Sequence, residues 1–207
     1  MPGLIVIFLI RFARGTAPAP NPADFERKHR DAAPRAGPYG EWAKETPMPF
    51  LIRPLPHARF APLFALDEAE LSARGALRRT ADAKPGFPCR VSLADAEPGE
   101  EVILLHYEHH SAATPFRSGH AIYVRAAAVE ADPAPGEVPP MLRSRMLSLR
   151  GFDRHGMLKA AHLADGAALE APLEAMLAES EVDYVHLHFA KAGCYAASAV
   201  RAEPLRD

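Results

Sequence analysis

Along residues 183–196, "DYVHLHFAKAGCYA", apolar and polar positions alternate with a period of two. That is the spacing of a β-strand, whose successive side chains point to opposite faces. Val185, Leu187 and Phe189 form the apolar face suited to a core, and Tyr184, His186 and His188 share the other. Gly193 suits the left-handed last position of a hairpin loop of three or four residues. The two lengths lead to different sites. With a three-residue loop Cys194 pairs with Ala190 and joins the histidine face; with four it pairs with Phe189 and joins the core, because a slip of one residue reverses every side chain.

The rest of the chain reads in the same way. "PFLIRPLP" after Met48 is a short edge strand with proline at both ends. In "LDEAELSARGA", Asp67 caps a helix, Glu70 completes a capping box and Gly75 terminates it. "KPGFPCRVSL", Lys84 to Leu93, combines turn residues with a strand-like tail. "PGEEVILLHYEHH" is a turn followed by an aliphatic strand, and "SGHAIYVR" is a strand of β-forming residues. "ADPAPGEVPP", with four prolines, marks a surface loop. "RMLSLRGFDRHGMLKAAHL" predicts two strands around the turn Asp153-Arg154-His155-Gly156. In "DGAALEAPLEAMLAES", Asp165 caps a helix whose Leu169, Leu173, Met176 and Leu177 share one face, with Pro172 either kinking it or placing its start near Ala171. The order of helix, strands, helix and two strands, without βαβ alternation, predicts a single α+β domain over 48–207: a largely antiparallel sheet with two short helices around one core.

Residues 1–47 are set apart by composition. Gly15 to Pro49 is rich in proline, alanine and charge without periodicity, so it cannot bury enough apolar surface to offset its ordering entropy. The expectation is a disordered extension or a misassigned start, since Met48 can itself begin a chain. "LIVIFLI", Leu4 to Ile10, is seven residues long, whereas a helical membrane span needs about 20. No Lys or Arg precedes it, which argues against a secretory signal.

Charge is balanced, with 24 Lys+Arg against 26 Asp+Glu and a net charge of -2, and no basic run is interleaved with aromatics. A nucleic-acid partner is not expected, nor a membrane one. Two cysteines, Cys89 and Cys194, could pair with each other but cannot build the disulfide framework of a small secreted fold, so the reducing cytoplasm is the expected location.

From Met48 onward the order of motifs resembles the family known as domain of unknown function 1203. The likeness is carried by "FAPLFALDEAELSARGALR", "KPGFPCRVSLADAEPGEEVILLHYEH", "PFRSGHAIYVR" and "VHLHFAKAGCYAASAVRA". The chain departs from the family pattern at Phe189, where an asparagine usually follows the second histidine, and at Pro172 in the late helix. The resemblance implies a small bacterial protein of one domain and no particular reaction.

Three chemistries compete for the polar residues. A pocket for a small anionic ligand draws on Arg90, Tyr107, His109, Arg117, His186, His188 and Cys194, because arginines beside an amphipathic tyrosine suit a carboxylate or phosphate. Against it, Arg90 and Arg117 could pair with surface carboxylates such as Glu108. A metal-dependent enzyme would use His186 and His188 with a third ligand from His109, His110 or Cys194. No Cys-x-x-Cys or helical His-Glu-x-x-His accompanies the pair, which otherwise reads as two histidines on a half-exposed sheet face. A nucleophilic cysteine would need a base beside Cys194 or Cys89, and a packed, inert thiol is the plainer reading. In "HYEHH" both faces turn polar, as at a strand end entering solvent. No phosphate loop, dinucleotide fingerprint or nucleophile elbow is present, and no cofactor is expected. A structural or protein-interaction module is the alternative to all of these.

Overall fold

Residues 49–202 are described by a computed structural model; the expectation for residues 1–47 falls outside them. All described residues belong to one unit, Lys44–Asp207. Eight strands form two antiparallel sheets. The larger has the order β1-β8-β7-β5-β6, from β1 (Phe50–Arg53), β5 (Met146–Phe152), β6 (Leu158–Asp165), β7 (Tyr184–Phe189) and β8 (Tyr195–Arg201). The smaller has the order β2-β3-β4, from β2 (Ala76–Thr80), β3 (Glu101–His110) and β4 (Ser118–Arg125). The α+β class holds, with two sheets in place of one.

Three short helices are present among the described residues: α1 (Glu68–Ala73), α2 (Pro140–Arg143) and α3 (Glu170–Ala178). In α1 the Asp67 carboxylate accepts from the Glu70 amide at 2.8 Å and Glu70 accepts from the Asp67 amide at 2.9 Å, and Gly75 follows with φ +66°. Pro172 sits in the first turn of α3, where its missing donor leaves no bond unmade. The expected apolar face of α3 is buried: Leu173 and Leu177 pack with Leu147, Leu149, Val185 and Leu187 as the main core on one face of the larger sheet. Buried residues of the smaller sheet form further clusters around Ile122, Ile103 and Val102, which replaces the single expected core.

Two expected elements differ. The tail of "KPGFPCRVSL" is no strand: Pro88 and Cys89 make only isolated bridges, to Asp95 and Tyr123, because the chain turns at once so that the Cys89 amide can donate to the Ala94 carbonyl at 2.9 Å. The proline-rich loop is not wholly superficial, since Val138 at its end is 3% exposed and joins the main core. No described helix is long and apolar enough to cross a membrane.

The final hairpin settles the question of register. The Gly193 amide donates to the Phe189 carbonyl at 2.7 Å and the Phe189 amide to the Cys194 carbonyl at 3.0 Å, which closes the four-residue loop 190–193. Cys194 therefore lies with Phe189 in the core. His188 pairs with Tyr195 and Leu187 with Ala197, so one extra residue bulges from β8. Tyr195 thereby shares the face of the histidines.

Candidate functional site

The face of the larger sheet opposite α3 is polar and aromatic. On adjacent strands Ser148 pairs with His188, Arg150 with His186 and Phe152 with Tyr184, and residues paired across an antiparallel ladder share a face. This face is not half-exposed: His186 is 6% and His188 0% exposed. The end of β3 covers it. There "HYEHH" does not emerge into water along its whole length, for His110 is 3% exposed and His109 half-buried, while His106 at its start is exposed.

Three imidazoles converge. One ring nitrogen from each of His109, His186 and His188 lies within 4.8 Å of the other two. The Tyr195 ring stacks on His109 at 5.2 Å between centroids with 8° between planes, and meets His186 and His188 edge-on. Phe152 closes the side at 5.1 Å from His186. His188 Nδ1 lies 3.0 Å from the Gly193 carbonyl oxygen. A carbonyl only accepts, so Nδ1 carries the hydrogen and Nε2 the lone pair. That Nε2 is buried without a partner, as are Nδ1 of His109 and Nδ1 of His186.

Burial is the main cause holding these rings neutral. It pulls His109 down to about 4 and His186 and His188 to about 3, and the Arg150 guanidinium and neighbouring imidazoles add repulsion. At neutral pH the trio presents lone pairs rather than charge. His110 stands aside, with Nε2 3.1 Å from the Tyr184 hydroxyl.

These residues fit a divalent transition metal. Nitrogen donors suit zinc, copper, nickel or iron, and ligating histidines typically donate their second ring N–H to a carbonyl or carboxylate, as His188 does to Gly193. Bonds of about 2.0–2.1 Å set tetrahedral ligand nitrogens roughly 3.3 Å apart, so closing on an ion asks the rings to move inward on the order of an ångström. No carboxylate or cysteine joins the cluster among the described residues. Three neutral ligands would leave such an ion its full charge, and a metal held in that way acidifies bound water.

The seven residues singled out in the sequence divide. His109, His186 and His188 meet. Tyr107 lies one ring away, 6.3 Å from Tyr195, against Phe60 and under Arg59. Arg117 is exposed and ion-paired with Glu108, the surface pairing weighed from the sequence. Arg90 and Cys194 sit together elsewhere: Arg90 Nη2 donates to Cys194 Sγ at 3.2 Å, and the four-residue loop turns that sulfur away from the imidazoles. Of the possible third ligands, only His109 joins the pair. Arg150 and Tyr195 were not foreseen. Nothing local marks Arg150, because its place beside His186 comes from strand pairing alone.

The family model described as "Protein of unknown function (DUF1203)" matches residues 86–201, more than half the chain and inclusive of all three histidines, Arg90 and Cys194. No curated protein and no solved structure matches the chain.

Proposed function

We propose, for a chain that belongs to the DUF1203 family, a metal-dependent function in which His109, His186 and His188 hold a divalent transition-metal ion. One observation carries this reading: three imidazoles converge, with one ring nitrogen of each within 4.8 Å of the other two, and each of these rings has a buried nitrogen without a hydrogen-bond partner. An unsatisfied buried polar atom costs about 1–3 kcal/mol, and three in one place form a poor structural solution and a good ligand set. The plain alternative, histidines satisfied by neighbours on a sheet, accounts for Nε2 of His110, which meets Tyr184, but not for Nδ1 of His110 or for the unpartnered nitrogens of the trio.

The metal would supply Lewis acidity and a nucleophilic water at neutral pH. The chain's own residues supply the rest. Gly193 holds the tautomer of His188, Tyr195 and Phe152 keep water from the inner rings, and half-buried His109 borders the approach from solvent. The reaction class that fits is metal-assisted attack of water on an electrophilic carbon or phosphorus centre.

Titration of metal-free protein with Co²⁺ and Zn²⁺ tests the reading. The expected result is one ion per chain, a visible Co²⁺ band of low-coordinate type, and loss of both in the His186→Ala/His188→Ala variant. A folded wild-type protein that takes up no stoichiometric metal, or a double variant that binds as tightly as wild type, overturns it.

A further inference from the structure

We propose that a second site, the cleft beside the β7–β8 turn, binds a small organic anion with an apolar body, and that Arg90 is its buried counter-charge. The cavity is about 930 Å³, within the range of about 300–1,000 Å³ typical of small-molecule sites. It is walled on one side by Tyr123 of β4 and on the other by Phe189 and the turn after it, and no histidine of the trio lines it.

Arg90 is 1% exposed, among the deepest side chains in the fold. Its Nε donates to the Tyr195 carbonyl at 2.8 Å, Nη1 to the Pro88 carbonyl and Nη2 to Cys194 Sγ at 3.2 Å. A guanidinium has five N–H donors, so two remain. No described carboxylate pairs with it, whereas Arg145 across the cleft is clamped bidentately by Asp95 at 2.6 and 2.9 Å. A buried charge without a counter-charge is strongly disfavoured, and burial accordingly pulls the Arg90 guanidinium down.

The cations Arg90, Arg145 and Lys191 line the cleft beside His120, and no carboxylate does. The two arginines lie 5.2 and 5.0 Å from the Phe189 ring centroid, so the apolar floor and the cations form one surface. An uncharged ligand would leave Arg90 uncompensated, and a bare inorganic anion would leave the apolar walls wet. A carboxylate on a flat apolar body answers both.

Cys194, 9% exposed on the cavity wall, serves as a reporter, with Cys89, 0% exposed and outside the lining, as internal reference. Wild-type protein is treated with iodoacetamide in the presence of benzoate or the uncharged benzyl alcohol, and alkylation of each cysteine is followed by mass spectrometry. Benzoate is expected to slow modification of Cys194 at least fivefold and to raise the melting temperature; benzyl alcohol does neither. In an Arg90→Met variant that retains the native circular dichroism spectrum, the protection disappears. Equal effects of the two probes, no protection by benzoate in wild type, or protection that persists in Arg90→Met overturns the proposal. Benzoate bound at the histidine trio would leave Cys194 alkylation unchanged, so this result is separable from the fate of the metal reading.

Discussion

His188 Nδ1 and the carbonyl oxygen of Gly193 lie 3.0 Å apart, and that bond ties the chemistry of a buried ring to the geometry of a turn. Gly193 has φ +75°, and the left-handed conformation costs a residue with a Cβ about 1–2 kcal/mol. A Cβ there would meet nothing within 4 Å, so the whole cost is backbone strain. Gly193→Ala is expected to lower unfolding stability by about 1 kcal/mol, and to weaken Zn²⁺ binding by about tenfold as the carbonyl shifts from His188. Chemical denaturation and calorimetric titration of the same variant check the two effects together.

His109 and His110 are neighbours in sequence with different assignments. His109→Ala removes one of three converging nitrogens and is expected to reduce metal affinity by roughly a hundredfold or more, beyond the 10- to 100-fold typical of losing a supporting group. His110→Ala removes a ring held by Tyr184, and its affinity should stay within about tenfold of wild type by the same measure. Competition with a chromophoric chelator ranks the two.

Acid should destabilise the metal-free protein through the trio. His109 titrates at about 4 and His186 and His188 at about 3 in the folded chain, against about 6.5 when unfolded. Between those values the unfolded chain binds more protons, so stability rises with pH. The contribution is present above about pH 6.5 and is lost as pH falls toward 4 and then 3. Melting temperature against pH should decline over that window, and a His186→Phe/His188→Phe variant that folds should show a shallower decline. Bound Zn²⁺ should carry stability to lower pH, because the ion competes with protons for the same nitrogens.

Arg150 pairs with His186 across β5 and β7, and its guanidinium makes no hydrogen bond or ion pair with any described residue. Its charge repels a dication at the trio. Arg150→Gln is expected to tighten Zn²⁺ binding by roughly two- to tenfold, the range of a partly screened charge at this kind of range, and the gain should shrink at high salt. Titration at two ionic strengths decides it.

Gly166 tests the joint between α2 and α3. A Cβ there would lie 1.9 Å from the Leu142 carbonyl oxygen and 2.7 Å from that of Arg145, both backbone atoms that cannot swing aside. Gly166→Ala is expected to cost about 3 kcal/mol, the upper range for overpacking, measured by urea unfolding.

Much of the local structure was legible from residue order. The Asp67 and Glu70 capping box, the turn at Gly156 and the two-residue period of Tyr184 to Phe189 each depend on neighbours a few positions apart. β2 was not, because of its residues only Ala76 is buried and "ALRRT" shows no apolar alternation. The false strand after Pro88 has apolar residues whose burial is supplied by a turn.

The sequence by itself determined which side chains share a face of each strand, and so placed His186 beside His188 and left Cys194 dependent on loop length. Only the tertiary structure decided that this face is covered, that His109 of a different sheet supplies the third ring, and that Arg90 and Cys194 part from the imidazoles. The physical reason is range: alternation follows from backbone geometry within a few residues, whereas burial and convergence arise where the end of β3 meets β7, between segments that no local pattern connects.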